Sequence, residues 1–457
     1  MNAPIAPLDL MWLLIESPGS TTHVGAMMLF EKPKGRKHVV REIVDAYRDF
    51  QPVPPFTYVP DLIGSGAPHF RETSEWDPEY HVCHLSLPAG SSEDDLLRLV
   101  ADLHEPMLDR DRPLFRCWII DGVPGGRFAV YSKTHHSIVD GVSGLKMLYA
   151  GLSRTDEHSV PEPAFALHPK PTEPHPPTPL FTRAIEAVRG VVTQVEAINQ
   201  ITATVVRKAL GAALGSELEG SLPFLADRAP TNVVLKQGRG FATMSLPLEE
   251  MHQIGHHFGA TLNDVAVTVV DAGLHAYFRE TGQPFPHRLT SMCPVSLRGE
   301  GDDAGGTRVS AIIVRLGEPD AGPLERLKQV VDSVAVAKKE LASLSTDAAM
   351  TFAVGAVALA GVNASTHLDR VARPACNLVI SNVPGSKQTR YLNGARLLGI
   401  FPVSALAASI GLNVTLSSYE DHMDFGLVAD TGAVQDVSAL AAHTRRAYQE
   451  LKKAAAR

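Results

Sequence analysis

The pattern best suited to chemistry is a pair of adjacent histidines with an aspartate four residues after the second: His135-His136-Ser137-Ile138-Val139-Asp140-Gly141. An imidazole accepts a proton readily at neutral pH because its unperturbed pKa is about 6.5. We take His136 as the candidate general base and Asp140 as a residue that stiffens the loop. Gly141 offers a backbone that can turn sharply into a following helix. The alternative is a polar loop with two partly buried histidines.

The flanking residues place this run between a strand and a helix. Segments 114–120 and 127–134 are β-prone and are separated by a glycine-rich turn, which predicts a hairpin. After the run, Val142, Leu145 and Leu148 recur at helical spacing. Functional residues concentrate on such loops, which favours the catalytic interpretation.

The chain divides by composition into an N-terminal domain (1–155), a proline-rich and helical linker (156–230) and a C-terminal domain (231–457). The apolar stripe of the linker helix, 182–215, favours core packing over membrane contact. Further elements are predicted by periodicity. They are helices over 39–47, 91–103, 262–279 and 323–344, and strands over 240–246, 308–316, 377–381 and 412–418.

Composition narrows the function classes. Of 457 residues, 44% are hydrophobic, and the formal net charge of −8 gives no global basic field, so nucleic-acid binding is not expected. The four cysteines are scattered without a CxxC pair, so we expect neither a disulfide framework nor a metal site.

The sequence favours a cytoplasmic protein. Its first apolar run has no basic residue before it, unlike a secretory signal. The longest apolar stretch, 348–362, is too short to span a bilayer. Peripheral contact with a membrane or with lipid inclusions stays open, and the sequence does not indicate an oligomeric state.

Two other histidine clusters are not expected to be functional. His256-His257 has no aspartate at the required spacing and is typical of a surface or helix end. His81, Cys83 and His84 alternate along a strand, which would spread metal ligands over both faces.

Several further blocks, in order along nearly the whole chain, resemble the bacterial wax ester synthase/diacylglycerol acyltransferases, relatives of chloramphenicol acetyltransferase and of peptide-synthetase condensation domains. These blocks are Pro7-Leu8-Asp9, His23-Val24-Gly25, Pro113-Leu114-Phe115, Leu262-Asn263-Asp264-Val265, Pro294-Val295-Ser296-Leu297-Arg298, the run from Asn377 to Gly385, and Leu412-Asn413-Val414-Thr415.

The resemblance implies an α/β (α+β) fold. Two chloramphenicol-acetyltransferase-like domains, each a mixed sheet flanked by helices, would be joined by a helical linker, with His136 in the channel between them. It also implies acyl-CoA as donor, a long-chain alcohol or diacylglycerol as acceptor, a wax ester or triacylglycerol as product, and no cofactor. Two alternatives remain: the same chemistry on another hydroxyl, such as that of a polyketide, or a non-catalytic lipid-surface protein.

The resemblance also suggests roles for individual residues. Asn263 would stabilise the oxyanion, although it could instead cap the following helix. Arg298 would pair with Asp140, the alternative being a solvated surface charge. His135 would be a hydrogen-bonding neighbour of the base. The remaining blocks are read as architecture: Asn382, Pro384 and Gly385 at a strand end with a Pro-Gly turn, and Asp424-Phe425-Gly426-Leu427.

Gly355 and Ala360 lie in a stretch of small residues that would suit the wall of an acyl-chain tunnel, with close helix packing as the alternative. The chain departs from the family pattern at three positions. Phe115 replaces a usual Trp and Thr22 a frequent Met, changes expected to be conservative in bulk or away from the base. The third departure is the stretch Gly305-Gly306-Thr307-Arg308, which replaces a frequent Gly-Asn-Arg or Gly-Asn-Gln. Thr307 is given no role.

Overall fold

The computed structural model describes residues 2–63, 67–168, 226–296, 309–342 and 373–457. Its N-terminal part contains helices α1 (Pro7–Ile15), α2 (Val39–Asp49), α3 (Pro78–His81), α4 (Glu93–His104) and α5 (Gly141–Ala150), with strands β1 (Asn2–Pro4), β2 (His23–Glu31), β3 (Tyr58–Asp61), β4 (His69–Glu72), β5 (Val82–Ser86), β6 (Phe115–Val123) and β7 (Arg127–His135).

The C-terminal part contains helices α6 (Leu248–His257), α7 (Leu262–Thr281), α8 (Pro323–Ala342) and α9 (Val437–Ala455). Its strands are β8 (Arg239–Pro247), β9 (Thr290–Ser296), β10 (Val309–Arg315), β11 (Leu378–Ser386), β12 (Tyr391–Leu392), β13 (Ala395–Val403), β14 (Leu412–Tyr419) and β15 (His422–Asp430). The predicted helices and strands of this half are confirmed, with ends that differ by a few residues.

Two six-stranded mixed sheets carry the fold. The first has the order β12-β13-β2-β7-β6-β5, and the second the order β10-β9-β11-β14-β15-β8. In the first sheet β6 and β7 form the predicted antiparallel hairpin. A small third sheet, β1-β4-β3, lies near the N-terminus. The expected α/β architecture of two mixed sheets flanked by helices is confirmed.

Helix α2 shows how the sequence directs this packing. Val39, Ile43 and Tyr47 recur on one face and are all buried, while the opposite face carries the charged residues. Helix α4 begins with a capping box, in which Ser92 accepts a hydrogen bond from the Asp95 N–H and the Asp95 carboxylate accepts one from the Ser92 N–H.

The boundary expected at residue 231 does not separate the two sheets. Strand β13 lies far down the chain, yet it pairs antiparallel with β2, with Val403 opposite Gly25 and Pro402 opposite Ala26. Residues 391–403 therefore complete the first sheet, although composition places them in the C-terminal domain. The chain returns from there to β14 in the second sheet.

Glycines allow the two sheets to approach closely at this crossing. A Cβ on Gly426 of β15 would lie 1.8 Å from the main-chain oxygen of Pro402 in β13. Only a residue without a side chain fits there. The expectation that Asp424-Phe425-Gly426-Leu427 is architectural thus has a specific physical basis. None of the helices in the described ranges has the length and apolar content needed to cross a membrane.

Candidate active site

The histidine run forms the loop between β7 and α5, as predicted. Asp140 is the N-cap of α5, and its Oδ1 accepts hydrogen bonds from the main-chain N–H groups of Val142 and Ser143, each at 2.9 Å. Its Oδ2 accepts a third from the Ser143 hydroxyl, also at 2.9 Å. These bonds satisfy N–H groups that a helix start otherwise leaves open, so Asp140 anchors the loop.

His136 is held by contacts on two sides. Its main-chain N–H donates to the Thr22 oxygen at 3.0 Å. Its ring stacks on the indole of Trp12, with centroids 4.4 Å apart and an interplanar angle of 26°. The main-chain carbonyl of His136 also favours the protonated ring.

The surroundings of His136 favour its neutral form. Burial lowers the pKa of the imidazole below 6.5, outweighing the opposite effects of the Asp140 charge and of the carbonyl hydrogen bond. A neutral imidazole is the form that can accept a proton from a hydroxyl.

His135 is fully buried, does not line the cavity, and contacts Ser137, Thr22 and Glu16. Its Nδ1 accepts the Ser137 main-chain N–H at 3.1 Å, which places the ring proton on Nε2. That Nε2–H lies 3.0 Å from the Thr22 hydroxyl and 3.5 Å from a carboxylate oxygen of Glu16. Both nitrogens are thereby used within the protein, which suits a positioning neighbour better than a second base.

Glu16 is a site residue that the sequence did not reveal. Its side chain is fully buried and pairs with Arg110, whose Nη2 lies 3.0 Å from Oε2. Burial alone would raise the pKa of this carboxyl, but hydrogen bonds from His135, the Thr22 N–H and Arg110 hold it below its usual value. A charged Glu16 fixes the Nε2–H tautomer of His135.

Asp9 is a second carboxyl in this neighbourhood. It lies on α1, and burial together with the negative charge of Asp140 raises its pKa to about 7. At neutral pH the Asp9 carboxyl is therefore partly protonated.

His136 lines a cavity of about 370 Å³ between the two sheets. Most of its wall is apolar. Polar side chains occur on the His136 wall and on the wall formed by β11, β14 and the segment after β13. They are Ser20, Thr22, Arg116, Ser132, Thr134, His136 and Asp140 on the first, and Ser381, Ser404, Asn413 and Thr415 on the second. An apolar cavity with few convergent polar groups is typical of a site for an apolar substrate.

Family models match both halves of the chain. The wax ester synthase/diacylglycerol acyltransferase catalytic domain matches residues 5–266, and the C-terminal domain of the same family matches residues 305–452. The chain belongs to the wax ester synthase/diacylglycerol acyltransferase family. The chain is therefore an acyltransferase, and the predicted family is confirmed.

Relatives of this family cover the chain from end to end. A putative diacylglycerol O-acyltransferase of Mycobacterium tuberculosis is 32% identical over 98% of this chain and 96% of its own length. The wax ester synthase/diacylglycerol acyltransferase of Marinobacter aquaeolei superposes with a TM-score of 0.77 at 25% identity, each chain covered completely. A condensation domain of the calcium-dependent antibiotic synthetase shares the fold, with a TM-score of 0.58 at 17% identity over all of this chain and 96% of its own.

Asn263, the family's candidate oxyanion donor, is the second residue of α7 and is half-buried. It is not among the described residues that line the cavity. The capping alternative is wrong, because the N-cap of α7 is Thr261, in a capping box with Asp264. A role for Asn263 in the reaction stays a prediction.

The role expected of Gly141 needs correction. Its φ is not positive, and a Cβ there would meet no atom within 4 Å, so the backbone does not require glycine. Gly141 lies at the first position of α5 and lines the cavity. Its missing side chain leaves space next to the loop of His136.

Asn382, Pro384 and Gly385 lie in the last five residues of β11, which ends at Ser386. The predicted Pro-Gly turn is absent from this strand, whose pairing with β14 is instead shifted between Val383 and Ser386. A Cβ on Gly385 would lie 1.7 Å from the Ser418 oxygen, which explains the glycine. Their predicted structural role is consistent with this geometry.

Thr22 contradicts the expectation that the first two departures from the family pattern are conservative in bulk or lie away from the base. Thr22 accepts the His136 N–H, contacts His135 and lines the cavity. The sequence pattern does not indicate a role for Trp12. No local signal marks either residue, since their histidine partners lie more than 100 positions away in the chain.

Four predicted residues lie outside the described residues: Arg298, Thr307, Gly355 and Ala360. The pairing of Asp140 with Arg298 and the tunnel wall therefore stay predictions. His256 and His257 lie exposed at the end of α6, as expected. His81 is buried at the end of α3 while His84 is exposed, and the described ranges contain no cluster of three potential metal ligands.

Proposed function

We propose that this acyltransferase moves a fatty acyl group from acyl-CoA to diacylglycerol or a long-chain alcohol, with His136 as general base. The observation that carries the proposal is the position of His136 on the wall of a largely apolar cavity, in surroundings that lower its pKa. A base poised in its neutral form next to apolar walls suits a lipid hydroxyl. The names of the mycobacterial and Marinobacter relatives support the same substrates.

Both substrates would be bound together during the reaction. A ring nitrogen of His136 takes the proton of the acceptor hydroxyl as its oxygen attacks the thioester carbonyl. The tetrahedral intermediate collapses by breaking the carbon–sulfur bond, which gives the new ester. The imidazolium then returns its proton to the CoA thiolate. Because a thioester carries a good leaving group, this sequence needs neither an acyl-enzyme nor a cofactor.

We place the reaction in the cytoplasm, with the protein in peripheral contact with a membrane or a lipid inclusion. Diacylglycerol resides in lipid, so an acceptor site must exchange with a lipid surface. Flotation with vesicles that contain diolein tests this contact, and a protein that stays at the bottom of the gradient argues against it.

The decisive assay uses purified protein with labelled palmitoyl-CoA and either diolein or hexadecanol. Labelled triacylglycerol or wax ester is expected from the wild type, with at least a 100-fold lower rate in His136→Ala. His256→Ala, an exposed histidine on α6, is the matched control and should retain full activity.

Product that persists at the wild-type rate in His136→Ala would overturn the mechanism. A wild type that binds vesicles but releases no CoA would favour a lipid-surface protein. CoA release only with a polyketide hydroxyl would identify a different acceptor.

A further inference from the structure

The indole of Trp12 lies against the proposed base and has no other polar task. Its ring is stacked on His136 at 4.4 Å between centroids, and it lines the same cavity. Its Nε1–H is buried and has no hydrogen-bond partner among the described residues. What this position gains from a tryptophan is therefore the ring face and not the N–H group.

The face of an indole ring attracts a neighbouring positive charge. The face of an aromatic ring carries negative electrostatic potential, and a cation within about 6 Å of the centroid is attracted to it, most strongly by tryptophan. His136 carries a positive charge only after it has taken the acceptor's proton. The stack therefore stabilises the imidazolium more than the imidazole, at the stage when the charge appears.

The contact is held in place from the His135 side. The Thr22 hydroxyl donates to the Trp12 main-chain oxygen at 3.0 Å, and it accepts from the His135 Nε2–H at 3.0 Å. The Trp12 oxygen belongs to the last turn of α1, where helix carbonyls have no partner within the helix. The same Thr22 also binds the His136 N–H through its main-chain oxygen.

We propose that Trp12 is a positioning residue of the reaction, whose stacked indole fixes the plane of the His136 ring and stabilises its imidazolium form. Through Thr22, the fully hydrogen-bonded His135 links the main chain of Trp12 to the main-chain N–H of His136. This inference rests on the proposed role of His136 as base. In a Ser-His-Asp triad, the carboxylate orients the imidazole and stabilises the imidazolium. Here the stacked indole would contribute to both of these tasks.

The charged and titratable groups around the pair come from four elements. Asp9 and Glu16 lie on or next to α1, Arg116 of β6 lines the same cavity, His135 ends β7, and Asp140 begins α5. A substitution at Trp12 alters none of them. Trp12→Leu keeps the site apolar and removes the π face, whereas Trp12→Phe keeps a smaller aromatic face.

The test measures the His136 titration directly, by NMR of protein labelled in its histidine rings. The signal absent from His136→Ala identifies the residue. In Trp12→Leu its midpoint should move to lower pH, because the imidazolium loses its partner, and Trp12→Phe should fall between Trp12→Leu and the wild type. This readout does not depend on activity, so it separates failure of the inference from failure of the proposed acyl transfer.

Kinetics supply the second readout. In Trp12→Leu, kcat should fall roughly 2- to 30-fold, with the KM for acyl-CoA nearly unchanged and the acid limb of the pH profile displaced in the same direction as the NMR midpoint. Trp76→Leu removes a half-buried indole that does not line the cavity and should leave both readouts unchanged. An unshifted midpoint in folded Trp12→Leu, or in Trp12→Phe if the leucine variant does not fold, would overturn the proposal.

Discussion

At the scale of single residues, the site separates the tasks of two adjacent histidines. His135 uses both ring nitrogens inside the protein, on Ser137 and on the Thr22–Glu16 pair. His136 lines the cavity instead. The difference arises because the two histidines lie at the end of strand β7, where successive side chains point to opposite faces of the sheet. Only one of the two neighbours can therefore face the cavity.

The lowered pKa of His136 predicts the pH dependence of the reaction. The base works only when neutral, so kcat/KM should be level at neutral pH and fall as pH drops through the pKa of the free enzyme. Burial places that pKa below 6.5, and the midpoint of the acid limb should lie there. A pH series of rates with both substrates below saturation measures it.

The titration of Asp9 could be mistaken for that of His136 in this pH profile, because the pKa of Asp9 is raised to about 7. Asp9→Asn removes this titration and should leave the limb assigned to His136 in place. A limb that disappears in Asp9→Asn, or a midpoint above 6.5 that survives it, contradicts the assignment.

The sequence reveals some of these residues and hides others for a physical reason. His136 and Asp140 belong to one short run with recognisable spacing, because the residue that anchors the loop is local to the base. Glu16 and Thr22 reach His135 across more than 110 positions. Such contacts are created by strand pairing between β2 and β7, and no periodicity in either segment records them.

At the scale of elements, α5 shows how the start of a helix can shape a cavity. Asp140 supplies the cap, and Gly141 at the first helical position supplies empty space. Gly141→Ala should keep the stability of the fold or raise it by up to about 1 kcal/mol, because no atom opposes the new methyl group and the unfolded chain loses freedom.

Activity of Gly141→Ala should nevertheless fall about 10-fold or more, since the methyl group occupies cavity space where the substrates must be aligned. Gly322→Ala, at a glycine that also meets no atom within 4 Å but lies outside the cavity lining, is the matched control. Urea unfolding and steady-state kinetics measure the two effects. Full activity in Gly141→Ala would contradict the role assigned to this space.

Element positions were predictable where a local signal exists. The amphipathic periodicity of α2 and the apolar runs of β8 and β14 fix those elements to within a few residues. The irregularity in β11 was not predictable: Pro384 and Gly385 indicate a turn, yet pairing with β14 keeps the chain extended through a register shift. Tertiary hydrogen bonds outweigh the local turn preference there.

At the scale of the whole molecule, β13 joins the two halves into one structure. It pairs with β2 in the first sheet, while Gly426 of β15 in the second sheet packs against its Pro402 oxygen. The cavity lies at this junction. Composition alone suggests independent domains on either side of a linker, because a strand that crosses from one domain to the other has the same sequence pattern as one that does not.

This shared strand predicts that damage to the second sheet unfolds the first. Gly426→Ala forces a methyl group against main-chain atoms and should cost about 3 kcal/mol. The three tryptophans, Trp12, Trp76 and Trp118, all lie before residue 120, so their fluorescence reports mainly the half that contains the first sheet, whereas circular dichroism reports both. In Gly426→Ala the two transitions should move together to lower urea concentration. If fluorescence kept its wild-type midpoint while circular dichroism became biphasic, the halves would be independent and β13 would not couple them.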